Sequence, residues 1–474
     1  MYHEAMTALS IGLDRGTKTP LATQIYASIR AAIETGKLPA HARLPSWRDL
    51  AAQLGVSRGT VRVAYERLID EQLAVGLGAA GTRVSARPAI PAAPVWAPAR
   101  TTMLDLFHDF GSTPLVFQMG VPAEDAFPYK LWSRIMAREA RHGAAVPVGY
   151  PDPRGAPELR REIAAYLAIA RGLRCNPSQI LVTAGFSGAL GLVTRALGLA
   201  GRTAWFEDPG FPLTRTALAM AGLKIAPVPV DAEGLDVASG MASAPDAALA
   251  VVTPGQQAPL GMTMSLARRG ALLDWARDND AWIIEDDYLS ELQLEGRAAP
   301  ALASLDNGGR VVHIGTFSKT ISPALRLGFV VVPPALAEHF GEVAACLAPA
   351  PASTMQFAVA SFLREGHYLR HLRRMKRVYA ERRQSLLRCL REETAGVLDV
   401  QATAGMAVLT RIRADAPDTE IALRALPFGL APAPLSPWYM HAPQPRGLLL
   451  GVTNLDERRL TADCRRLADL VRQA

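Results

Sequence analysis

The 474-residue chain has only four cysteines, Cys175, Cys346, Cys389 and Cys464, and no two of them have the spacing of a zinc site or a CxxC pair. A disulfide framework and a metal cluster are both poorly supported, and no metal is expected. No stretch of ~18 apolar residues occurs, and no basic segment leads into an apolar run at the start, so neither a membrane span nor a secretion signal is expected. These absences point to a reducing, cytoplasmic setting without a membrane partner. Charge bias is small as well. The formal net charge of +7 permits contact with an acidic polymer without requiring it. With 49% hydrophobic and 20% charged residues the composition is that of a globular protein, and the length exceeds what one core serves. Two or three domains are expected.

Residues 86–115 divide two differently patterned regions. Pro88, Pro91, Pro94, Pro98 and Pro114 stand there among alanines, and proline resists helix, so the stretch reads as an extended, semi-stiff linker. It separates a first domain at 16–85 from a second at 116–474. Upstream, Leu21, Ile25, Ile29 and Ile33 recur every fourth residue and predict a helix that ends at Gly36. Pro45-Ser46 opens a second helix, with Ser46 as N-cap and Leu50, Ala51 and Leu54 inward. Gly55 turns the chain. Ser57 then caps a third helix, whose buried stripe is Val61, Tyr65, Leu68 and Ile69. Leu73–Val84, broken by Gly76, Gly78 and Gly81, predicts two short strands around a flexible wing. Downstream, apolar strands at 180–183, 204–207, 248–253, 282–286, 311–315 and 329–332 alternate with amphipathic helices, the pattern of a mostly parallel sheet covered on both faces. A long arginine-rich helix over 365–392 follows. Its charge run, which includes Arg370, Arg373, Arg374, Lys376, Arg377, Arg382 and Arg383, reads first as a solvated face and second as a track for DNA.

The first region has the organisation of a winged helix-turn-helix, in which the start of the second helix of the motif faces base edges in the major groove. Here Ser57, Arg58, Gly59 and Thr60 occupy that start, with Arg62 one turn on. Arginine grips guanine bidentately, while serine and threonine suit phosphates or base edges. The partner implied is a double-stranded DNA operator. Arg67 has no base-facing role in this arrangement.

The second region offers what pyridoxal phosphate needs from a protein. Lys319, in Thr316-Phe317-Ser318-Lys319, can form the Schiff base, and Arg326 supplies a cation for the phosphate. Asp286, at a strand end, can pair with the pyridine nitrogen, and Tyr288 can reach the phenolic oxygen. Thr316 and Ser318 add hydroxyls. Gly185-Phe186-Ser187, between a strand and a helix, can present backbone N–H groups to the phosphate, and Phe211 can stack on the ring. Glu285 and Asp287 are expected to support the site without entering it, and Cys175 to serve packing.

Residues 19–84 resemble the GntR-type winged helix through Leu44-Pro45-Ser46, Leu54-Gly55-Val56-Ser57-Arg58 and Tyr65-Glu66-Arg67-Leu68. That resemblance implies DNA contacts from Arg48, Ser57, Arg58, Thr60 and Arg62, with Gly81 in the wing. The downstream segments Tyr150-Pro151-Asp152-Pro153-Arg154-Gly155, Ile284-Glu285-Asp286-Asp287-Tyr288 and Gly315-Thr316-Phe317-Ser318-Lys319 resemble fold-type-I aminotransferases. Together the two halves look like MocR-type regulators. The resemblance implies a multidomain chain, a mainly α winged helix-turn-helix joined to a large α/β aminotransferase-like domain. It also implies a homodimer that regulates transcription and senses an amine, an amino-acid-like effector or pyridoxal phosphate itself. Departures fall at Ser187, at Phe211, at Gly255-Gln256-Gln257-Ala258-Pro259 and at Leu289-Ser290-Glu291-Leu292-Gln293. The late strand Leu448-Leu449-Leu450-Gly451-Val452 also lacks the arginine that grips a substrate carboxylate in aminotransferases. Arg411, Arg446 and Arg215 are candidates nearby, the last two being the effector-binding expectation. Two other readings remain: a working aminotransferase with an appended DNA-binding module, and a regulator with a vestigial pocket.

Overall fold

The computed structural model of the protein describes residues 11–86, 114–145, 149–294, 296, 298–413, 416–441 and 444–474. It divides into two compact units, Met1–Ala99 and Arg100–Ala474. Most of the 86–115 linker lies outside the described residues.

In the first unit, helices α1 (Leu21–Glu34), α2 (Trp47–Leu54) and α3 (Arg58–Asp70) enclose a core of Ile25, Ile29, Leu50, Val61 and Leu68. Ser46 Oγ accepts the Asp49 N–H and Ser57 Oγ accepts the Thr60 N–H, both at 3.1 Å, so each helix of the motif starts on a serine cap. Gly55 makes the turn with φ of 62°, a left-handed conformation that costs glycine nothing. The Tyr65 hydroxyl donates to the Pro45 carbonyl at 2.9 Å and ties α3 to the start of α2. The expected stripe on α3 needs one correction. Ile69 is exposed and Ala64 is buried with Val61, Tyr65 and Leu68. At ~100° per residue, position 69 lies ~80° round the helix from Val61, whereas position 68 lies within ~20°. Strands β1 (Ala74–Gly76) and β2 (Thr82–Val84) pair antiparallel as the wing.

In the second unit the large sheet has, among the described residues, eight strands in the order β3-β10-β9-β8-β7-β4-β5-β6. These are β3 (Ile180–Thr183), β4 (Thr203–Asp208), β5 (Lys224–Asp231), β6 (Gly234–Leu235), β7 (Leu249–Val252), β8 (Trp282–Asp287), β9 (Val311–Thr316) and β10 (Gly328–Val331). From β5 through β4, β7 and β8 to β9 the neighbours run parallel, while β10 runs antiparallel between β9 and β3. Side chains alternate between two cores, Ile284 and Ile314 on one face and Ile283 and Val311 on the other. A second, antiparallel sheet of β11 (Leu398–Ala404), β12 (Ala407–Ile412), β14 (Gly447–Gly451) and β13 (Ala433–Pro434) follows the helix His367–Glu393. That helix buries Tyr368, Met375, Tyr379 and Leu386. Within its basic run Arg382 pairs with Asp125 and Arg383 is buried, while Arg373, Arg374 and Arg377 are exposed.

Candidate functional site

β9 ends at Thr316, whose Oγ1 accepts the Ser318 N–H at 3.1 Å and bends the loop that carries Lys319. Lys319 Nζ donates to the Gly120 carbonyl at 3.1 Å. Gly120 has φ of 76°, which favours glycine, and a Cβ there would stand 2.7 Å from that Nζ and displace it. Burial favours the neutral amine and lowers the Lys319 pKa, while the charge of Asp286 opposes the shift. Asp286 lies on β8, paired in register with Ile314 of β9. Its Oδ1 is buried without a hydrogen-bond partner. Burial, reinforced by the charges of Asp287 and Glu207 and opposed by Lys319 and His313, pushes its carboxyl up to about 8.

The flanking carboxylates are differently engaged. Glu285 accepts the Leu302 and Ala303 N–H groups and lies 3.0 Å from His313 Nδ1. Asp287 accepts the Arg171 Nε–H at 2.7 Å, a pair with both side chains buried. Alternation along β8 therefore gives Asp286 to the lysine side and its neighbours to the other.

Gly185 opens the helix Gly185–Ala196 with φ of 72° and no side-chain cap on the preceding residue, so the first-turn N–H groups of Gly185, Phe186 and Ser187 have no intrahelical acceptor. The Phe186 ring packs against the core and Ser187 is exposed. Arg326, exposed and left-handed with φ of 48°, closes the turn Pro323–Leu325. Its guanidinium has no hydrogen bond or ion pair among the described residues. A Cβ on Gly185 would lie 4.0 Å from the Arg326 carbonyl carbon, which brings helix start and arginine backbone together.

Phe211 lies 5.3 Å from Trp438 between ring centroids, tilted by 46°. Both belong to an apolar cluster with Ala258, Leu409 and Leu449, against which Met119 and Tyr288 also pack. Burial raises the Tyr288 hydroxyl pKa well above its ordinary value. Glu207 accepts from Thr253 N–H and Oγ1–H, and burial nevertheless holds it at about 7. Arg215 Nη2 donates to the Pro437 carbonyl at 3.3 Å and feels the charge of Asp208. Arg446 immediately precedes β14, and its carbonyl accepts the Ile412 N–H. The structure thus brings Lys319, Asp286 and Tyr288 together at the strand ends, and Phe211 and Arg215 onto one wall with Trp438. Sequence reasoning missed Gly120, Met119 and Trp438, which arrive from ~200 and ~120 residues away in sequence without a local signal. Arg171 was missed as well, because nothing in its local sequence assigns it to Asp287.

On the first unit Arg48, Ser57, Arg58 and Arg62 are exposed. Thr60 is half-buried, its Oγ1 2.8 Å from Ser57 Oγ. Arg62 pairs with Glu66 at 3.3 Å, and Arg48 lies over the Trp47 ring. Gly81 takes φ of 87° between β1 and β2, beside the Arg43 guanidinium. Arg67 is occupied by Glu71 and by the Tyr26 ring 4.0 Å away. Among the described residues no helix is long and apolar enough to cross a membrane, and no cluster of three or more His, Cys, Asp or Glu could hold a metal.

Residues 127–426 match the aminotransferase class I and II family, and residues 21–84 match the gntR family of bacterial regulatory proteins. The chain is 37% identical over 459 residues to the probable rhizopine catabolism regulatory protein MocR of Rhizobium meliloti, covering 94% of this chain and 92% of that one. It is 33% identical over 375 residues to the pyridoxine biosynthesis transcriptional regulator PdxR of Corynebacterium glutamicum, covering 79% and 80%. Among solved structures, the α-aminoadipate aminotransferase LysN of Thermus thermophilus, complexed with N-(5'-phosphopyridoxyl)-L-leucine, matches with a TM-score of 0.70 at 25% identity, over 79% of this chain and 95% of that one. With a gntR-type winged helix-turn-helix ahead of a fold-type-I aminotransferase-like region, the chain belongs to the MocR-type transcriptional regulators.

Proposed function

We propose that this regulator binds pyridoxal phosphate at Lys319 and that its affinity for an operator responds to the cofactor itself or to a small amine. The observation that carries the reading is the buried, unpartnered Oδ1 of Asp286 beside a lysine whose proton is weakened by burial. A buried carboxyl without a partner is costly, and a protonated ring nitrogen would supply one. Tyr288 would face the phenolic oxygen and Phe211 the ring. The first-turn N–H groups of Gly185, Phe186 and Ser187, with Thr316, Ser318 and Arg326, would hold the phosphate. When bound, pyridoxal phosphate supplies an aldehyde that a neutral amine can join covalently.

The chain's own residues prepare that encounter. Burial keeps Lys319 Nζ ready to shed its proton, and the Gly120 carbonyl aims it. Asp286 gives up its proton as a cation approaches, because an opposite charge lowers a raised carboxyl pKa. Relatives matched over most of the chain are named as regulators, which favours this reading over a working aminotransferase with an appended DNA-binding module. In this regulator the domains lie at 16–85 and 116–474, joined by a linker over 86–115. It is a cytoplasmic homodimer that reads duplex DNA through Arg48, Ser57, Arg58, Thr60, Arg62 and the wing at Gly81. Titrating purified protein with pyridoxal phosphate should produce a saturable visible absorbance that Lys319→Ala abolishes. A wild-type protein that stays colourless at saturation would overturn the reading.

A further inference from the structure

The wall that Met119 and Tyr288 join beside the lysine's partners is apolar, and we infer that the effector is a primary amine with a neutral body and no carboxylate. This rests on the cofactor reading above and narrows it. Two positions tie the wall to the lysine. Met119 adjoins Gly120, which holds Lys319 Nζ, and Tyr288 lies two residues beyond Asp286; both pack against the cluster of Leu449, Leu409, Trp438 and Phe211. Leu449 is wholly buried in it.

The arginines nearest this wall are turned to other tasks. Arg215 donates to the Pro437 carbonyl and lies in the field of Asp208. Arg411 is exposed on β12, and Arg382 is held by Asp125 and the Thr453 carbonyl. Arg446 has the parity of Leu448 and Leu450 on the β14 side of the chain, whose side chains enter the opposite core, and is out of phase with Leu449. Arg326 stands at the helix start proposed above to hold the phosphate. A carboxylate seated against the half-buried Met119 and Phe211 would lose its water and meet only Arg215, which already spends a donor on the Pro437 carbonyl and faces the charge of Asp208, an unfavourable exchange. A neutral body loses little there and gains apolar contact. Arg215 retains donors for a hydroxyl or another uncharged oxygen near the Pro437 edge.

The test uses full-length protein loaded with pyridoxal phosphate and two matched pairs, phenethylamine against phenylalanine and isopentylamine against leucine. Each ligand is titrated while the visible spectrum is followed, with free pyridoxal phosphate as the control. Each amine is expected to perturb the bound spectrum at about a tenth or less of the concentration its amino acid requires. Amino acids that match or beat their amines overturn the inference, as does a protein that responds to neither member of either pair. If the amino acids win and Arg215→Ala removes their advantage, the carboxylate grip belongs to Arg215. Failure of the site reading looks different: no visible band forms with the cofactor at all.

Discussion

Replacing Asp286 with asparagine should move two properties in opposite directions. A carboxyl raised from 3.8 to about 8 by burial opposes folding as it ionises. The opposition is absent below the unfolded value, grows by ~1.4 kcal/mol per pH unit between the two values, and levels off above pH ~8. The ceiling is roughly 6 kcal/mol, and water reaching a half-buried carboxyl should reduce it to ~2–3 kcal/mol. Asparagine keeps the shape without the charge. The cofactor-free Asp286→Asn protein should therefore melt at the same temperature as wild type at about pH 4 and several degrees higher at about pH 9. The same substitution removes the carboxylate proposed for the ring nitrogen and the charge that sustains the Lys319 proton, so pyridoxal phosphate affinity should fall ~10–100-fold. Melting curves at both pH values and a spectroscopic titration suffice. A variant that is no more stable at pH 9 and binds the cofactor as wild type does would refute the reasoning.

Three further outcomes follow from named contacts. Arg171→Ala removes the buried guanidinium paired with Asp287, leaving His313 Nε2 at 3.7 Å, so the second unit should lose ~3–5 kcal/mol, read as a lowered melting point at neutral pH. Gly120→Ala would place a methyl 2.7 Å from Lys319 Nζ; cofactor affinity should drop about 10-fold or more while the far-ultraviolet circular dichroism is unchanged. Arg58→Ala should cost ~1–3 kcal/mol of specific DNA binding by fluorescence anisotropy, whereas Arg67→Ala, which removes the Tyr26 and Glu71 contacts, should leave sequence preference intact and lower the melting point of the first unit.

Much of the architecture was legible because local chemistry and periodicity agree. Ser46 and Ser57 cap where their positions before apolar stripes imply, and Gly55 turns where only a left-handed residue suits. The strands around Lys319 were readable as apolar runs bounded by polar loops. Direction was less so: β10 is as apolar as its neighbours, and nothing in Gly328–Val331 marks it as antiparallel. Ile69 was misplaced because a hydrophobic side chain does not announce which side of a helix edge it occupies. The apolar surroundings of the site were the least visible part. Gly120, Trp438 and Leu449 join it only through long-range pairing, such as the Gly451 N–H bonded to the Phe117 carbonyl, and chain-distant contacts leave no spacing to read.

The three consecutive acids on β8 carry a further implication. Because a pleated strand sends neighbours to opposite sides, deleting one residue anywhere in Trp282–Ile284 would turn two acids toward the lysine and strip the Arg171 guanidinium of its counterion at the same stroke. Substitutions at those hydrophobic positions should be tolerated far better than any change in their number, so this short stretch acts as a ruler whose length matters more than its lettering.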